Sequence, residues 1–310
     1  MEGAPPSGGS PFPPPAEAAG AAPAYEAPPA YASAPPQPAA GGEVSAYDRY
    51  REAPPGVDAN AAQPASAAAA PGASTEGGFP AAMQSAQREL EAGQMAAALR
   101  QLSAWYDHPQ LTPVEQQQLN QLLDQIAGTV VYSTQHLLEA PYEVQTGERL
   151  EDIGQRYDVP WQLLAKINGI DDPQSLRPGE RLKVVRGPFA AVINLEKREM
   201  ALMLADGSYA GRFKIGLGVD QPPREGVFAV SDKATDPVYR GRDRAIGPQD
   251  PNNPLGARWI GLGADLGIHG TNRPESIGRT DLPGSISLDP RDIEDVFDIL
   301  SVGSKVTIRR

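Results

Sequence analysis

The chain of 310 residues contains no cysteine. This excludes disulfides, zinc-thiolate sites and any thiol nucleophile. Positive charge is also short, with 27 Lys and Arg against 39 Asp and Glu and a formal net charge of -12. A nucleic-acid partner demands a basic face, so nucleic acid is not expected. No run of about 18 apolar residues occurs, so no membrane-spanning helix is expected. The N-terminus lacks the charged-then-apolar pattern of a signal peptide.

Proline and glycine are plentiful, 33 and 32 residues, but unevenly spread. From Met1 to Gly78 the chain is mostly Pro, Ala, Gly and Ser. Such a segment buries too little apolar surface to offset its ordering entropy, and residues 1–78 read as a disordered tether. A helical period then follows in residues 79–140, with Leu90, Leu99, Leu102 and Trp105 or Tyr106 on one stripe. Thr112, Pro113 and Glu115 form a capping signature for a second helix, whose apolar face is Leu119, Leu122, Ile126 and Val130. The expectation is a helical hairpin, with packing favoured over a docking role for it. His108 and His136 fall here and are assigned no chemistry.

Residues 141–186 read as a small βααβ module: Tyr142-Glu-Val, a turn at Thr146 and Gly147, helices over 150–157 and 161–168, and a strand from Arg181 to Val185. Beyond it, residues 187–310 are mostly β. Short strands are expected at 190–195, 200–204, 212–215, 226–230, 258–262 and 305–308, with one late helix capped by Asp289 and opened by Pro290. The fold class is therefore multi-domain, ending in a mostly-β sandwich or open barrel.

Two stretches carry resemblances. Tyr142-Glu-Val-Gln-Thr-Gly-Glu-Arg-Leu150, the Ile153 and Tyr157 spacing, Leu163 to Asn168 and Pro178-Gly-Glu-Arg-Leu182 resemble the LysM family. That resemblance implies binding of N-acetylglucosamine-containing glycan between Gly147, Glu148, Arg149 and Leu150 on one side and Gly169, Ile170 and Asp171 on the other. From Gly267 to Leu288, the Ile-His-Gly-Thr turn, the Ser276-Ile-Gly-Arg279 loop and Pro283-Gly-Ser-Ile-Ser287 resemble the YkuD-type L,D-transpeptidase signature. Pro222-Pro-Arg-Glu-Gly-Val-Phe228 and Asn253-Pro-Leu-Gly-Ala-Arg-Trp259 support it upstream.

In that family a cysteine thiolate attacks a stem-peptide carbonyl, and a histidine takes and later returns the proton. Carried over, His269 is the base equivalent, and the nucleophile position, 285 minus 269 or 16 residues later, is Ser285. Gly270, Thr271, Ser276, Gly278, Gly284, Ile286 and Ser287 become the substrate and oxyanion residues. Three positions depart from the pattern besides Ser285: Leu282 replaces a small hydroxyl residue, Pro283 a polar one, and Ser287 an arginine. Arg279 or Arg291 could substitute for that charge in space, and Asp265 and Asp281 are the nearby candidates for orienting the histidine.

The resemblance implies peptidoglycan glycan strands and stem peptides as partners, with no metal and no cofactor. It places the chain in the periplasm or cell wall, with either a start upstream of Met1 or an unrecognised export route expected. Serine cannot rest ionised as a thiol beside an imidazole can. Two readings stay open: a wall-binding protein with impaired catalysis, or a working serine-variant transpeptidase or carboxypeptidase.

Overall fold

A computed structural model of the protein describes residues 78–241, 245–263, 266–281 and 283–310. All of the tether expected over residues 1–78 except Gly78 lies outside them, as do Asp265 and Leu282.

The helical segment corrects the expected hairpin. It holds three α-helices, α1 (Gly78–Glu91), α2 (Met95–Ser103) and α3 (Pro113–Ala127), continued by a π turn over Gly128–Tyr132. The apolar stripe that suggested one long helix is broken at Gly93, whose φ of +74° lets its N–H and that of Gln94 turn back to the carbonyls of Leu90 and Glu89. Gly78, assigned to the tether, is the first residue of α1. The start of α3 is as its sequence dictates: Thr112 Oγ1 accepts the Glu115 N–H, and Glu115 returns to the Thr112 N–H. Val130 is buried, but in the π turn and not on α3.

The βααβ module pairs β1 (Tyr142–Glu143) antiparallel with β2 (Arg181–Leu182) around α4 (Leu150–Tyr157) and α5 (Trp161–Asn168). Leu150, Ile153, Leu163, Leu164 and Ile167 are its buried apolar contribution. Both helices end on left-handed residues, Asp158 and Gly169.

The C-terminal part is built on two five-stranded sheets. In the first, β3 (Ala190–Asn194), β4 (Glu199–Met203), β5 (Tyr209–Lys214), β7 (Gly226–Ala229) and β14 (Lys305–Arg309) run in the order β5-β4-β3-β14-β7. In the second, β6 (Gly216–Leu217), β8 (Asp232–Thr235), β11 (Arg258–Gly261), β12 (Gly267–His269) and β13 (Ile286–Ser287) run β6-β13-β12-β11-β8. A small pair, β9 (Tyr239–Arg240) and β10 (Ala245–Ile246), stands apart. Ile193, Met200, Leu202 and Val306 of the first sheet and Ile260, Ile268 and Ile286 of the second belong to one apolar core. The late helix is α6 (Pro290–Ile299), with Asp289 accepting the Arg291 N–H as its cap.

These parts are fastened to one another. The helical segment covers the β5 edge: Tyr132 Oη donates to the Ala210 carbonyl at 2.6 Å, Ser103 Oγ accepts the Tyr209 N–H at 2.8 Å, and Arg212 pairs with Asp124 at 3.1 Å. Two lysines hold the βααβ module. Lys166 on α5 sits between Asp295 and Asp298 of α6, at 3.2 and 2.6 Å. Lys183, 1% exposed, donates to the carbonyls of Val130 at 2.9 Å and Ser133 at 2.6 Å, closing the end of the π turn.

Candidate active site

The centre of the second sheet brings residues 269 and 285 together. Strands β12 and β13 are parallel, with His269 opposite Ser287 and Ile268 opposite Ile286. Ile286 points into the core, so Ser285 and Ser287 share the other face with His269. All three are buried, and so is Gly284.

Gly284 is required here. Its φ is +90°, and a Cβ added to it would lie 2.2 Å from His269 Nε2. The backbone at 284–285 is pressed from the other side by Gly218, where a Cβ would meet the Gly284 carbonyl oxygen at 1.7 Å. Gly218 N–H donates to the Ser285 carbonyl at 2.7 Å, and Gln221 N–H to the Gly284 carbonyl at 3.2 Å. The contacts to the site come from Gly218 and Gln221, ahead of the 222–228 stretch that resembles the family's hairpin.

Both nitrogens of His269 are engaged. Nδ1 lies 2.6 Å from the Gly270 carbonyl oxygen, which requires it to carry the proton. Nε2 therefore holds the lone pair, and it accepts the backbone N–H of Ser285 at 3.1 Å. The Ser285 hydroxyl reaches Gln221 Oε1 at 3.5 Å, long for an O–H donor. Full burial pushes the imidazole down to about 4, against the weaker upward pull of the Gly270 carbonyl. The ring is thus neutral at pH 7.

A pH prediction follows from that burial. The unfolded histidine takes a proton near 6.5 and the folded one near 4, so the unfolded chain binds more protons between those values. The contribution is complete above 6.5 and disappears as pH falls to 4, amounting to roughly 3 kcal/mol. Urea unfolding of wild type and His269→Gln across this window should show the extra acid loss in wild type alone. Parallel curves would contradict a neutral buried ring.

The remaining residues mostly build turns. Thr271 Oγ1 accepts the Arg273 N–H at 3.0 Å, and Ser276 Oγ donates to the Arg273 carbonyl. Gly278, at φ +86°, donates to the Ile215 carbonyl and so ties this loop to the link between β5 and β6. The Gly270 carbonyl holds the Nδ1 proton, the role for which a carboxylate had been considered, and Asp281 is exposed. Arg279 and Arg291 are exposed too. Ser287 Oγ is buried with no hydrogen-bond partner, where the transpeptidase pattern has an arginine. Asn253, unassigned from sequence, ties three backbone groups, donating to the carbonyls of Pro237 and Gly247 and accepting the Leu255 N–H. It shapes the loop that meets Gly270, since the Leu255 carbonyl is 3.2 Å from where a Cβ on Gly270 would stand.

In the βααβ module each of the two expected sides combines exposed residues with buried or partly buried ones. Leu150 is fully buried and supports the loop from beneath. Glu148, with 9% of its side chain exposed, accepts from Tyr142 Oη at 2.7 Å and the Gln145 N–H at 3.1 Å and pairs with Arg156 at 2.9 Å. Arg149, at 69% exposure, touches Asp152 at 3.3 Å, and Gly147, Gly169 and Asp171 are exposed while Ile170 packs on the core. A shallow depression nearby is lined by Ser175, Arg177, Pro178, Gly179 and Glu180.

Comparison with known proteins agrees with both resemblances. Residues 188–308 match the model of the L,D-transpeptidase catalytic domain, and residues 142–185 that of the LysM domain. A Bacillus subtilis (strain 168) protein named L,D-transpeptidase YkuD is 40% identical over 191 residues, covering 61% of this chain and 93% of its own. A second from that strain, named L,D-transpeptidase YqjB, is 37% identical over 124 residues, covering 38% of this chain and 69% of its own. Among solved structures, an L,D-transpeptidase from Mycobacterium tuberculosis H37Rv superposes with a TM-score of 0.35 at 16% identity, over 43% of this chain and 63% of that one. The match thus spans less than two thirds of that chain.

Proposed function

From the premise that this chain belongs to the L,D-transpeptidase family and carries a LysM domain, we propose that it is a peptidoglycan-associated protein whose LysM domain binds glycan. Its cleft receives a stem peptide but transfers acyl groups poorly. Its place of action is the wall or the periplasm. No helix among the described residues is long and apolar enough to cross a membrane.

The observation that carries the impairment is one hydrogen bond. The Ser285 N–H that would stabilise an oxyanion is spent on His269 Nε2, and the same bond occupies the lone pair that would take the hydroxyl proton. Acyl transfer by serine needs that proton removed during attack, because the hydroxyl does not ionise beforehand. An imidazole held down to about 4 is a weak base for it.

The competing reading, a working serine enzyme, draws on the same pair, since His269 and Ser285 do meet. Intact-mass analysis after incubation with a tetrapeptide-stem muropeptide separates the two. No adduct and no released D-alanine is the expected result. A serine adduct missing from Ser285→Ala, formed at a rate comparable with cysteine relatives, would overturn the proposal.

Glycan binding is tested by point substitution. Arg149→Ala combined with Asp171→Ala, both exposed positions, is expected to weaken retention on purified peptidoglycan by about tenfold, the equivalent of roughly 1.4 kcal/mol. Retention equal to wild type would remove the groove assignment.

A further inference from the structure

Strand register places four residues in one row across the second sheet: Trp259 is opposite His269, His269 opposite Ser287, and Ser287 opposite Gly216. Directly paired residues share a face, so Trp259 lies on the face that carries the histidine. The rings are nearly parallel and offset. The Trp259 and His269 rings have centroids 6.0 Å apart and planes 11° apart. The indole also lies over Gly267, where an added Cβ would come within 2.4 Å of it. A side chain at 267 would therefore displace the indole from its present position.

The two hydrogen bonds of His269 fix which edge of the ring points to the Gly270 carbonyl and which to the Ser285 N–H. They leave rotation of the ring out of its plane to be resisted by whatever lies against its faces. The stacked indole supplies such a wall, and it keeps water from one face. Trp259 itself is half-buried.

We propose that Trp259 is a positioning residue for His269, holding the ring plane in which Nδ1 meets the Gly270 carbonyl and Nε2 meets the Ser285 amide. The role belongs to the site's geometry and holds whether the cleft only binds a stem peptide or also transfers it. Among the described residues no charged side chain influences the ring; burial and the Gly270 carbonyl are what act on it.

The test uses the full chain labelled with ¹⁵N on histidine, with the His269 signals assigned by their loss in His269→Gln. Long-range ¹H–¹⁵N spectra read the tautomer at pH 7, and a titration reads the midpoint. Wild type and Trp259→Phe should both show the single Nδ1–H tautomer. Trp259→Leu should average the tautomers and raise the midpoint by about one pH unit, toward the ordinary histidine value. Gly267→Ala, which displaces the indole without altering it, should reproduce the Trp259→Leu spectrum. A folded Trp259→Leu chain with wild-type tautomer and midpoint would overturn the role. If that chain does not fold, Trp259→Met, closer in volume, takes its place, and the wild-type spectrum from it or from Gly267→Ala overturns the proposal equally.

Discussion

A Ser285→Cys chain incubated with a tetrapeptide-stem donor or a carbapenem is expected to acquire a covalent acyl group at position 285, while wild type does not. The gain should be on the order of 10²–10⁴ in acylation rate, the range that a missing general base accounts for. A thiol, even with burial raising it above its ordinary value of about 8.5, ionises far more readily than a hydroxyl, so it depends less on the occupied lone pair of His269. With the donor stem, the thiolate forms a C–S bond as the C–N bond to the departing D-alanine breaks, and a proton must reach that amine. Sulfur for oxygen is a small change in a fully buried position, so thermal unfolding should move little. A folded but unreactive Ser285→Cys chain would show that the amide-to-imidazole bond and the missing arginine at 287 silence the cleft by themselves. The mass shift, with Ser285→Ala as control, reads the outcome directly.

Lys183→Ala is expected to lower unfolding stability by about 3 kcal/mol. The substitution removes a fully buried side chain and leaves the Val130 and Ser133 carbonyls unsatisfied. Lys183→Met keeps most of the volume and should lose less, about 1–2 kcal/mol. Burial lowers this amine to about 7 from its ordinary 10.5. The unfolded chain then binds more protons between 7 and 10.5, so wild type should gain stability as pH rises through that window. Its contribution is complete above 10.5 and lost as pH falls toward 7. Lys183→Met should lack this rise, and urea titrations at intervals across the window measure the difference. An identical pH profile in both chains would mean that the amine stays charged in the folded protein.

The C-terminal fold was legible because its strands alternate or run apolar between turn residues, and the capping signals at Thr112 and Asp289 work as written. The two-residue strands at Gly216, Tyr239, Ala245 and Ile286 were not legible. They exist because neighbouring strands pair with them, and no local preference announces them. The break at Gly93 was passed over since the apolar spacing continues across it, and only the left-handed backbone betrays it. Within the site, the meeting of His269 and Ser285 could be anticipated from motif spacing. That the Ser285 amide meets Nε2 could not, because it depends on the backbone turn at Gly284, whose φ of +90° no motif spacing reveals. Trp259 offered a signal that went unused: it stands beside the histidine in register, which only strand pairing reveals.

The two lysine anchors of the LysM domain bear on how freely this domain can be inherited or engineered. Excised between residues 142 and 185, it would carry away the buried amine that closes one neighbour's helix end and strand two aspartates of the other. A donor graft from another protein would have to bring a cation to the aspartates and a hydrogen-bond donor to the carbonyls. Under the proposed glycan-binding role, a change of carbohydrate specificity would be sought in the exposed positions 149 and 171, with the module left in its socket.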